Sequence, residues 1–412
     1  MTKQTLIDRN IDQMQRRHFL QGAASLASTG LVSCATQRSL AKDAESDKIY
    51  RVGVIGSTGR GDYGHALDRA FLEVPRTRIV AVADDDPAGL VEAGKRLSVK
   101  QTFADYHEML NEVELDMVAV CPRWVDQHCD MAVAAAEQGL HLLVEKPFCR
   151  TLAEADRIVA ACEKSGVKLA LGHPTRYSPT LNKVRQIIRE DKIGRVLEFR
   201  GRGKEDRRGG GQDLWVLGTH IMDMILALGG YPEWCHATVL QNGKPVTQND
   251  VFDGPEGIGP LAGDELHAMY KMSGGGVAYF SSLKHAGKKK RYALQIFGSK
   301  GIIELTEGIL PSVTYLDDIT WSPGRSGTQW QTISSAGIGK PEPLSGRKYQ
   351  ARYMLMIEDL LAAIEQDRQP LSGLYEARSV VEMIVAVFES HRQGVPVKFP
   401  LENRNNPLTM LG

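Results

Sequence analysis

The feature that most constrains this chain is a regular alternation of short apolar strands and helices from residue 49 to about residue 172. Such alternation predicts a doubly wound parallel sheet with helices on both faces. Ligands of sheets of this kind bind beyond the carboxyl ends of the strands. The residues that directly follow the strands are therefore the first candidates for function.

A glycine-rich turn follows the first predicted strand, 49–55, and precedes a helix predicted over about 63–72. Backbone N–H groups at the start of such a helix can bind a pyrophosphate, and a Cβ atom would obstruct that approach. Thr58 takes the place of the middle glycine in the usual G-x-G-x-x-G pattern, and Gly59 beside it can supply the missing freedom. The predicted phosphate-binding residues are Gly56, Ser57, Thr58, Gly59, Arg60 and Gly61.

Asp84 ends the second predicted strand, 78–83. A carboxylate in this place can accept both ribose hydroxyls of an adenosine and would repel a 2′-phosphate, so it predicts NAD rather than NADP. The alternative is that Asp84 is a turn residue. Asp86 before Pro87 has instead the pattern of a helix N-cap followed by proline at the first helical position.

Two further strand ends carry polar or reactive side chains. The strand 117–120 is followed by Cys121 and Pro122, with His128 shortly after, and the strand 141–144 is followed by Glu145 and Lys146. Because parallel strands end at one edge of the sheet, we expect these residues to contact the cofactor as well.

At this point the chain resembles the Gfo/Idh/MocA family of oxidoreductases, which includes glucose–fructose oxidoreductase and inositol dehydrogenase. The matching motifs occur in the family's order over residues 50–400. They are the glycine turn 56–61, Asp84, Pro122 with His128, Glu145-Lys146-Pro147, Gly172-His173 with Arg176-Tyr177, Gly218-Thr219-His220 with Asp223, and Ile296-Phe297-Gly298 with Gly301.

The resemblance implies an α/β protein in which a Rossmann domain, 49–172, precedes an α+β domain, 173–412, that binds substrate and forms oligomers through an open, mostly antiparallel sheet. The residues independently predict two helices, 350–367 and 374–393, and several strands with glycine-rich turns between them. These strands are 196–200, 265–272, 277–284, 292–297 and 302–305. One exposed sheet face would be covered in a homodimer or homotetramer.

The resemblance also assigns the chemistry. Lys146 would lie at the nicotinamide and help to move the proton of the reacting hydroxyl, with a pKa lowered by burial, and His220 would accept that proton. A surface lysine and a core histidine are the alternatives. His173, Arg176, Tyr177 and Thr219 are implied contacts of the substrate.

Many family members carry an Asp four positions before this histidine, and Val216 stands there in this sequence. Asp213 and Trp215, at the end of a glycine-rich segment that begins at Gly209, are the nearby candidates for a replacement. We predict a mobile clamp in which Trp215 stacks on a sugar ring and Asp213 accepts its hydroxyls. The alternative is that Trp215 packs in the core.

Composition excludes other classes of protein. The 50 Lys and Arg balance 50 Asp and Glu, so the formal charge of zero argues against a nucleic-acid partner. The cysteines that follow Cys34 form no Cys-x-x-Cys pair, which leaves no zinc-site spacing and no disulfide framework. No metal is expected.

The N-terminal 33 residues resemble a twin-arginine export signal, with Arg16-Arg17 before a weakly apolar stretch. The run that ends at Cys34 resembles a lipoprotein box, which predicts a lipidated Cys34, a polar tether over 34–48 and a periplasmic protein with no other membrane contact. The alternatives are an amphipathic helix, ordinary cleavage after Ala41 without lipid, and a start of translation at Met14.

Together these features predict an NAD-dependent enzyme that transfers hydride between a secondary hydroxyl of a carbohydrate or polyol and a tightly bound cofactor. One alternative is a redox-neutral glycosidase that oxidises, eliminates, hydrates and reduces its sugar again. A second alternative, suggested by Val216, is a sugar-binding lipoprotein that keeps the fold without the chemistry.

Overall fold

A computed structural model describes residues 48–286, 291–344 and 353–412. The first part of the chain forms a six-stranded parallel sheet in the order β3-β2-β1-β4-β5-β6. Its strands are β1 Tyr50–Ile55, β2 Thr77–Ala83, β3 Gln101–Phe103, β4 Met117–Val120, β5 His141–Val144 and β6 Leu169–Leu171. The strand order reverses between β1 and β4, as in a dinucleotide-binding sheet, so the predicted Rossmann fold is confirmed.

Helices connect these strands and cover both faces of the sheet. They are α1 Leu67–Ala70, α2 Pro87–Leu97, α3 Tyr106–Glu112, α4 His128–Glu137 and α5 Leu152–Ser165. The Asp86 side chain accepts a hydrogen bond from the Gly89 N–H, so Asp86 is the N-cap of α2 as predicted. The predicted helix over 63–72 is shorter than expected, because positive φ angles at Asp62, Gly64 and Ala66 interrupt helical geometry before Leu67.

The second sheet is open and mostly antiparallel, as predicted, and runs in the order β18-β17-β16-β15-β14-β7-β13-β12-β8-β19, with β9 paired to β8. Only the β7–β13 pair is parallel among the described pairs of this sheet. Its strands are β7 Val196–Arg202, β8 Pro232–Gln241, β9 Lys244–Pro245, β12 Glu265–Met272, β13 Val277–Leu283, β14 Leu294–Gly298, β15 Ile302–Leu305, β16 Val313–Leu316, β17 Gln331–Ser334, β18 Gly337–Ile338 and β19 Val397–Lys398; β10 Phe252–Gly254 and β11 Gly259–Leu261 form a separate hairpin.

Helices pack on one face of this second sheet. The remaining helices are α6 Pro179–Arg189, α7 Gly211–Asp213, α8 Thr219–Gly229, α9 Pro323–Ser326, α10 Met354–Glu365 and α11 Leu374–Gln393. Alternate residues of β12 and β13 are buried, as expected for strands with one covered face. Both α8 and α11 supply the cover, since α8 contacts β7 and α11 contacts β8.

Helix α10 belongs by sequence to the range predicted for the second domain, but it packs on the first sheet. Its Met356 and Leu360 share a buried apolar cluster with Val52 and Val54 of β1. Within the ranges that the structure describes, no helix has the length and apolar character needed to cross a membrane.

Candidate active site

A cavity of about 230 Å³ lies beyond the carboxyl ends of β1 and β2. Gly56, Ser57 and Asp84 line one side, and Tyr106 and Gln127 line the other. The Ser57 hydroxyl is buried at this cavity and has no hydrogen-bond partner among the described residues, which is unfavourable unless a ligand supplies one. The position and the unsatisfied hydroxyl fit the adenosine half of a dinucleotide.

The glycine turn has a backbone that only small residues allow. Gly59 and Gly61 have φ angles of 83° and 93°, and a Cβ atom on Gly61 would lie 2.6 Å from the backbone nitrogen of Arg123. The Arg60 guanidinium pairs with Asp126 and lies over the Trp124 ring, so it ties the turn to the loop after β4. The Arg60 side chain is thus bound to protein, and the phosphate contact predicted for the backbone of this turn stays a prediction.

Asp84 joins the glycine turn to the second strand. Its carboxylate accepts hydrogen bonds from the Thr58 N–H at 3.1 Å, from the Thr58 hydroxyl at 2.8 Å and from the Asp86 N–H at 3.1 Å. Thr58 thus has a role that a glycine could not fill, because its hydroxyl anchors the turn to Asp84. The carboxylate also lines the cavity, where the predicted ribose contact requires it.

The predicted cofactor contacts of the Cys121 and His128 side chains are wrong, because both side chains are fully buried within the protein. The two ring nitrogens of His128 lie 2.7 Å from the carbonyl oxygens of Pro122 and Pro147. His128 therefore connects the loops after β4 and β5, and burial lowers its pKa below the usual value. Burial also raises the pKa of the Cys121 thiol well above its usual range, so the thiol is not a nucleophile.

Glu145 is fully buried beside the cavity edge of the sheet. One of its carboxylate oxygens lies 2.8 Å from Nδ1 of His65, which is on the segment between the glycine turn and α1. No sequence motif identifies His65, since a single histidine before a short helix has many possible roles. The pair holds Glu145 in place next to Lys146.

Lys146 is only 4% exposed, and its Nζ donates a 2.9 Å hydrogen bond to the Val216 carbonyl oxygen. Val216 lies in a π-helical turn, Leu214–Gly218, which interrupts the regular hydrogen-bond ladder before α8. The next carbonyl in the turn, that of Leu217, accepts a hydrogen bond from the Tyr292 hydroxyl at 2.8 Å. The position that lacks the usual Asp therefore contacts Lys146 through its main chain.

His220 lies one helical turn after Val216, in the first turn of α8, and is 6% exposed. Its Nδ1 lies 3.9 Å from a carboxylate oxygen of Glu307. The imidazole ring packs edge-on against that of His173, with the two ring centroids 5.3 Å apart. Nε2 of His173 lies 2.9 Å from the Thr219 hydroxyl. The structure thus brings together four predicted residues, Lys146, His173, Thr219 and His220, and adds Glu307, which no sequence motif indicated.

Arg176 and Tyr177, predicted as substrate contacts, have structural roles instead. The Arg176 guanidinium donates to both the side chain and the main chain of Asp223, and the Tyr177 hydroxyl accepts from the Ser372 N–H at 2.9 Å. Although burial acts to raise it, Arg176 and His173 hold the pKa of Asp223 well below its usual range. Both predicted contacts are corrected, since the two side chains are buried and already bound to protein.

The mobile clamp predicted around Asp213 and Trp215 is also wrong. Gly209, Gly210 and Gly211 are buried, and Trp215 is among the largest fully buried side chains. Asp213 accepts hydrogen bonds from the Ser282 hydroxyl at 2.6 Å and the Glu205 N–H at 3.0 Å, and burial raises its pKa. The segment that precedes α8 is therefore packed within the protein and does not form a sugar-binding loop.

The described residues contain no group of three or more His, Cys, Asp or Glu side chains arranged to hold a metal ion. The fold and the cavity define a dinucleotide-binding oxidoreductase. The family model described as "Oxidoreductase family, NAD-binding Rossmann fold" matches residues 50–173, and "Oxidoreductase family, C-terminal alpha/beta domain" matches residues 185–399. The chain belongs to the Gfo/Idh/MocA oxidoreductase family, and the predicted NAD-binding oxidoreductase is confirmed.

Curated relatives of the chain include sugar dehydrogenases. Levoglucosan dehydrogenase from Pseudarthrobacter phenanthrenivorans is 25% identical over 283 residues, which cover 60% of this chain and 72% of the relative. D-apiose dehydrogenase from Paraburkholderia graminis is 32% identical over 147 residues, 36% of this chain and 38% of the relative. Myo-inositol 2-dehydrogenase from Thermotoga maritima is 28% identical over 145 residues, 35% of this chain and 42% of the relative.

Solved structures share the fold over most of the chain. Levoglucosan dehydrogenase in complex with NADH and L-sorbose aligns with a TM-score of 0.68 at 22% identity, covering 86% of this chain and 99% of that one. An oxidoreductase from Agrobacterium radiobacter in complex with NAD+, L-tartaric acid and magnesium aligns with a TM-score of 0.64 at 18% identity. The alignment covers 85% of this chain and 98% of that one.

Asp84→Ala is expected to weaken the retention of NAD and to reduce the preference for NAD over NADP by about tenfold or more, since a hydrogen bond to a charged group contributes roughly 1.5–3 kcal/mol. The measurement is the dissociation constant of each cofactor for the parent and the variant. Thr58→Val is the matched control, because it removes one anchor of the turn and keeps the charge; it should weaken both cofactors alike. An unchanged preference in Asp84→Ala would reduce Asp84 to a turn residue and shift the ribose contact to Asp85.

Proposed function

We propose that this protein transfers hydride between the carbon of a secondary hydroxyl, in a carbohydrate or polyol, and a tightly bound NAD. The observation that carries the proposal is the approach of two proton-transfer groups from different elements, with Lys146 bound one helical turn before His220. The names of the relatives, which act on levoglucosan, apiose and inositol, support a substrate with several hydroxyls.

Lys146 and His220 have different roles in the proposed reaction. The Lys146 ammonium, which donates to the Val216 carbonyl, can also donate a hydrogen bond to the reacting oxygen. The His220 imidazole can accept the hydroxyl proton during oxidation and return it during reduction. Bound NAD supplies the two-electron acceptor or donor. The buried surroundings of both side chains exclude water from the proton transfer.

Lys146→Ala and His220→Ala should each lower turnover by about 10²–10⁴-fold, the usual contribution of general acid–base groups, while NAD retention and folding remain. The measurement is the absorbance change of bound NAD after sugars are added to the purified protein. Exposed residues of the same types supply the controls, Lys164→Ala and His107→Ala, which should match the parent. Parental rates in both active-site variants would show that the chemistry occurs elsewhere.

The same experiment separates the alternative functions. A spectral change without hydrolysis supports the oxidoreductase, whereas cleavage of a glycoside that depends on NAD would indicate the redox-neutral glycosidase. Sugar binding with neither result would indicate a non-catalytic sugar-binding lipoprotein.

We further propose that the protein is exported by the twin-arginine route and is anchored to the periplasmic envelope by lipid on Cys34. The Arg16-Arg17 pair and the run that ends at Cys34 support this proposal, and both lie outside the residues that the structure describes. Mass spectrometry of the native N-terminus should find a lipidated Cys34. A peptide that begins at Lys42, or an unmodified Met14, would exclude the anchor.

We also propose a homodimer or homotetramer formed through the outer face of the second sheet. Tyr279 and Leu283 are each 37% exposed on β13, and a cavity of about 490 Å³ opens on the same sheet beside Arg200. Light scattering should give a mass of two or four chains, and Tyr279→Glu should lower it. A parent with the mass of one chain would contradict the proposal.

A further inference from the structure

Glu307 is a carboxylate that lies against the imidazole of His220. It lies in the loop between β15 and β16, and its Oε1 is 3.9 Å from Nδ1 of the histidine. The Glu307 side chain is 20% exposed and the histidine side chain 6%, so solvent screens their charges less than on an open surface.

The loop that carries Glu307 is fixed at both ends. Thr306 and Ser312 close its base, since the Thr306 N–H donates to the Ser312 carbonyl and the Ser312 N–H donates to the Thr306 hydroxyl. The next residue, Gly308, donates its N–H to the Thr175 hydroxyl at 2.8 Å. Thr175 belongs to the turn directly after His173, so the loop is attached to the same wall of the site as the two histidines.

Other carboxylates near His220 are bound elsewhere. Asp213 accepts from Ser282 and from the Glu205 backbone, and Asp223 accepts from Arg176 and lies 3.4 Å from Nδ1 of His173. Position 216, where the family resemblance implied an Asp, is a valine whose carbonyl binds Lys146. Neither aspartate can therefore turn to His220 without leaving a buried donor unsatisfied.

We propose that Glu307 is a positioning residue for His220, and this inference rests on the proposed oxidoreductase function. A carboxylate that faces Nδ1 favours the tautomer with the proton on Nδ1, in which Nε2 carries no proton and can accept one, and it stabilises the imidazolium that forms. The 3.9 Å separation is compatible with this role, because hydrogen bonds of catalytic groups tighten when the substrate complex forms.

The oxidation of the substrate alcohol needs only His220 as proton acceptor and bound NAD+ as hydride acceptor. During oxidation the substrate O–H proton passes to Nε2 of His220, the C–H bond breaks and its electron pair passes with the hydrogen to bound NAD+, and a C=O bond forms. Glu307 remains ionised and takes no proton. Reduction reverses each of these transfers.

The test compares Glu307→Gln with Glu304→Gln, a control that removes a carboxylate from the neighbouring strand β15. In NAD-bound protein, NMR titration of the His220 ring, assigned with His220→Ala, should give a pKa lower by about one pH unit or more in Glu307→Gln, because an opposite charge at this range typically raises a histidine pKa by that amount. His173, whose ring centroid lies 5.3 Å from that of His220, and Asp223, which lies against His173, are unchanged in both variants.

The kinetic readout is the reduction of bound NAD by a sugar that the parent oxidises. Glu307→Gln should lower kcat by about 10- to 100-fold with little change in KM, and should move the acid limb of the pH profile to lower pH, since His220 then loses its proton more easily. Glu307→Asp should recover part of the rate, and Glu304→Gln should keep all of it.

An unchanged His220 pKa in Glu307→Gln would overturn the proposal, as would a parental kcat. The titration needs no turnover, so it decides the pairing even if no sugar reduces the cofactor, an outcome that would instead contradict the proposed function. If Glu307→Gln does not fold, Glu307→Ala serves in the titration, where the lost charge again predicts a lower pKa of His220 and an unchanged pKa contradicts the pairing.

Discussion

The arrangement of the site depends on a buried lysine that must have an acceptor. An ammonium group withdrawn from water is costly unless it is hydrogen-bonded, and the Val216 carbonyl accepts from Lys146 at 2.9 Å. That carbonyl is in position because the π-helical turn Leu214–Gly218 precedes α8. The contact joins the end of β5 to the turn that directly precedes α8, the helix that carries His220.

Much of the fold could be predicted from the sequence because local periodicity reports it. The βα alternation gave the parallel sheet, and residues 265–272, 302–305 and 374–393 match β12, β15 and α11 to the residue. The helix after the glycine turn was predicted too long, since φ angles at Asp62 and Ala66 are not visible in composition. The docking of α10 on the first sheet is a contact between distant parts of the chain, for which periodicity has no signal.

The candidate site could be predicted only in part. Motifs indicated Lys146 and His220, and the structure binds Lys146 to the carbonyl of Val216, which lies one helical turn before His220. Residue type suggested that Trp215 contacts a sugar, and the family resemblance suggested the same of Arg176. Whether such side chains face a cleft or a core is decided by tertiary packing. The π-helical turn is a local irregularity, and the approach of Glu307 to His220 is a contact between distant parts of the chain, neither of which one sequence displays.

The central claim is that Lys146 and His220 serve one proton transfer at one reacting carbon. A double-mutant cycle tests it most directly, with the rate of bound-NAD reduction measured for the parent, Lys146→Ala, His220→Ala and the double variant at saturating sugar. The account predicts that the fold loss of rate in the double variant is much smaller than the product of the fold losses in the two single variants. Losses that multiply in full would contradict it, because independent groups do not share a step.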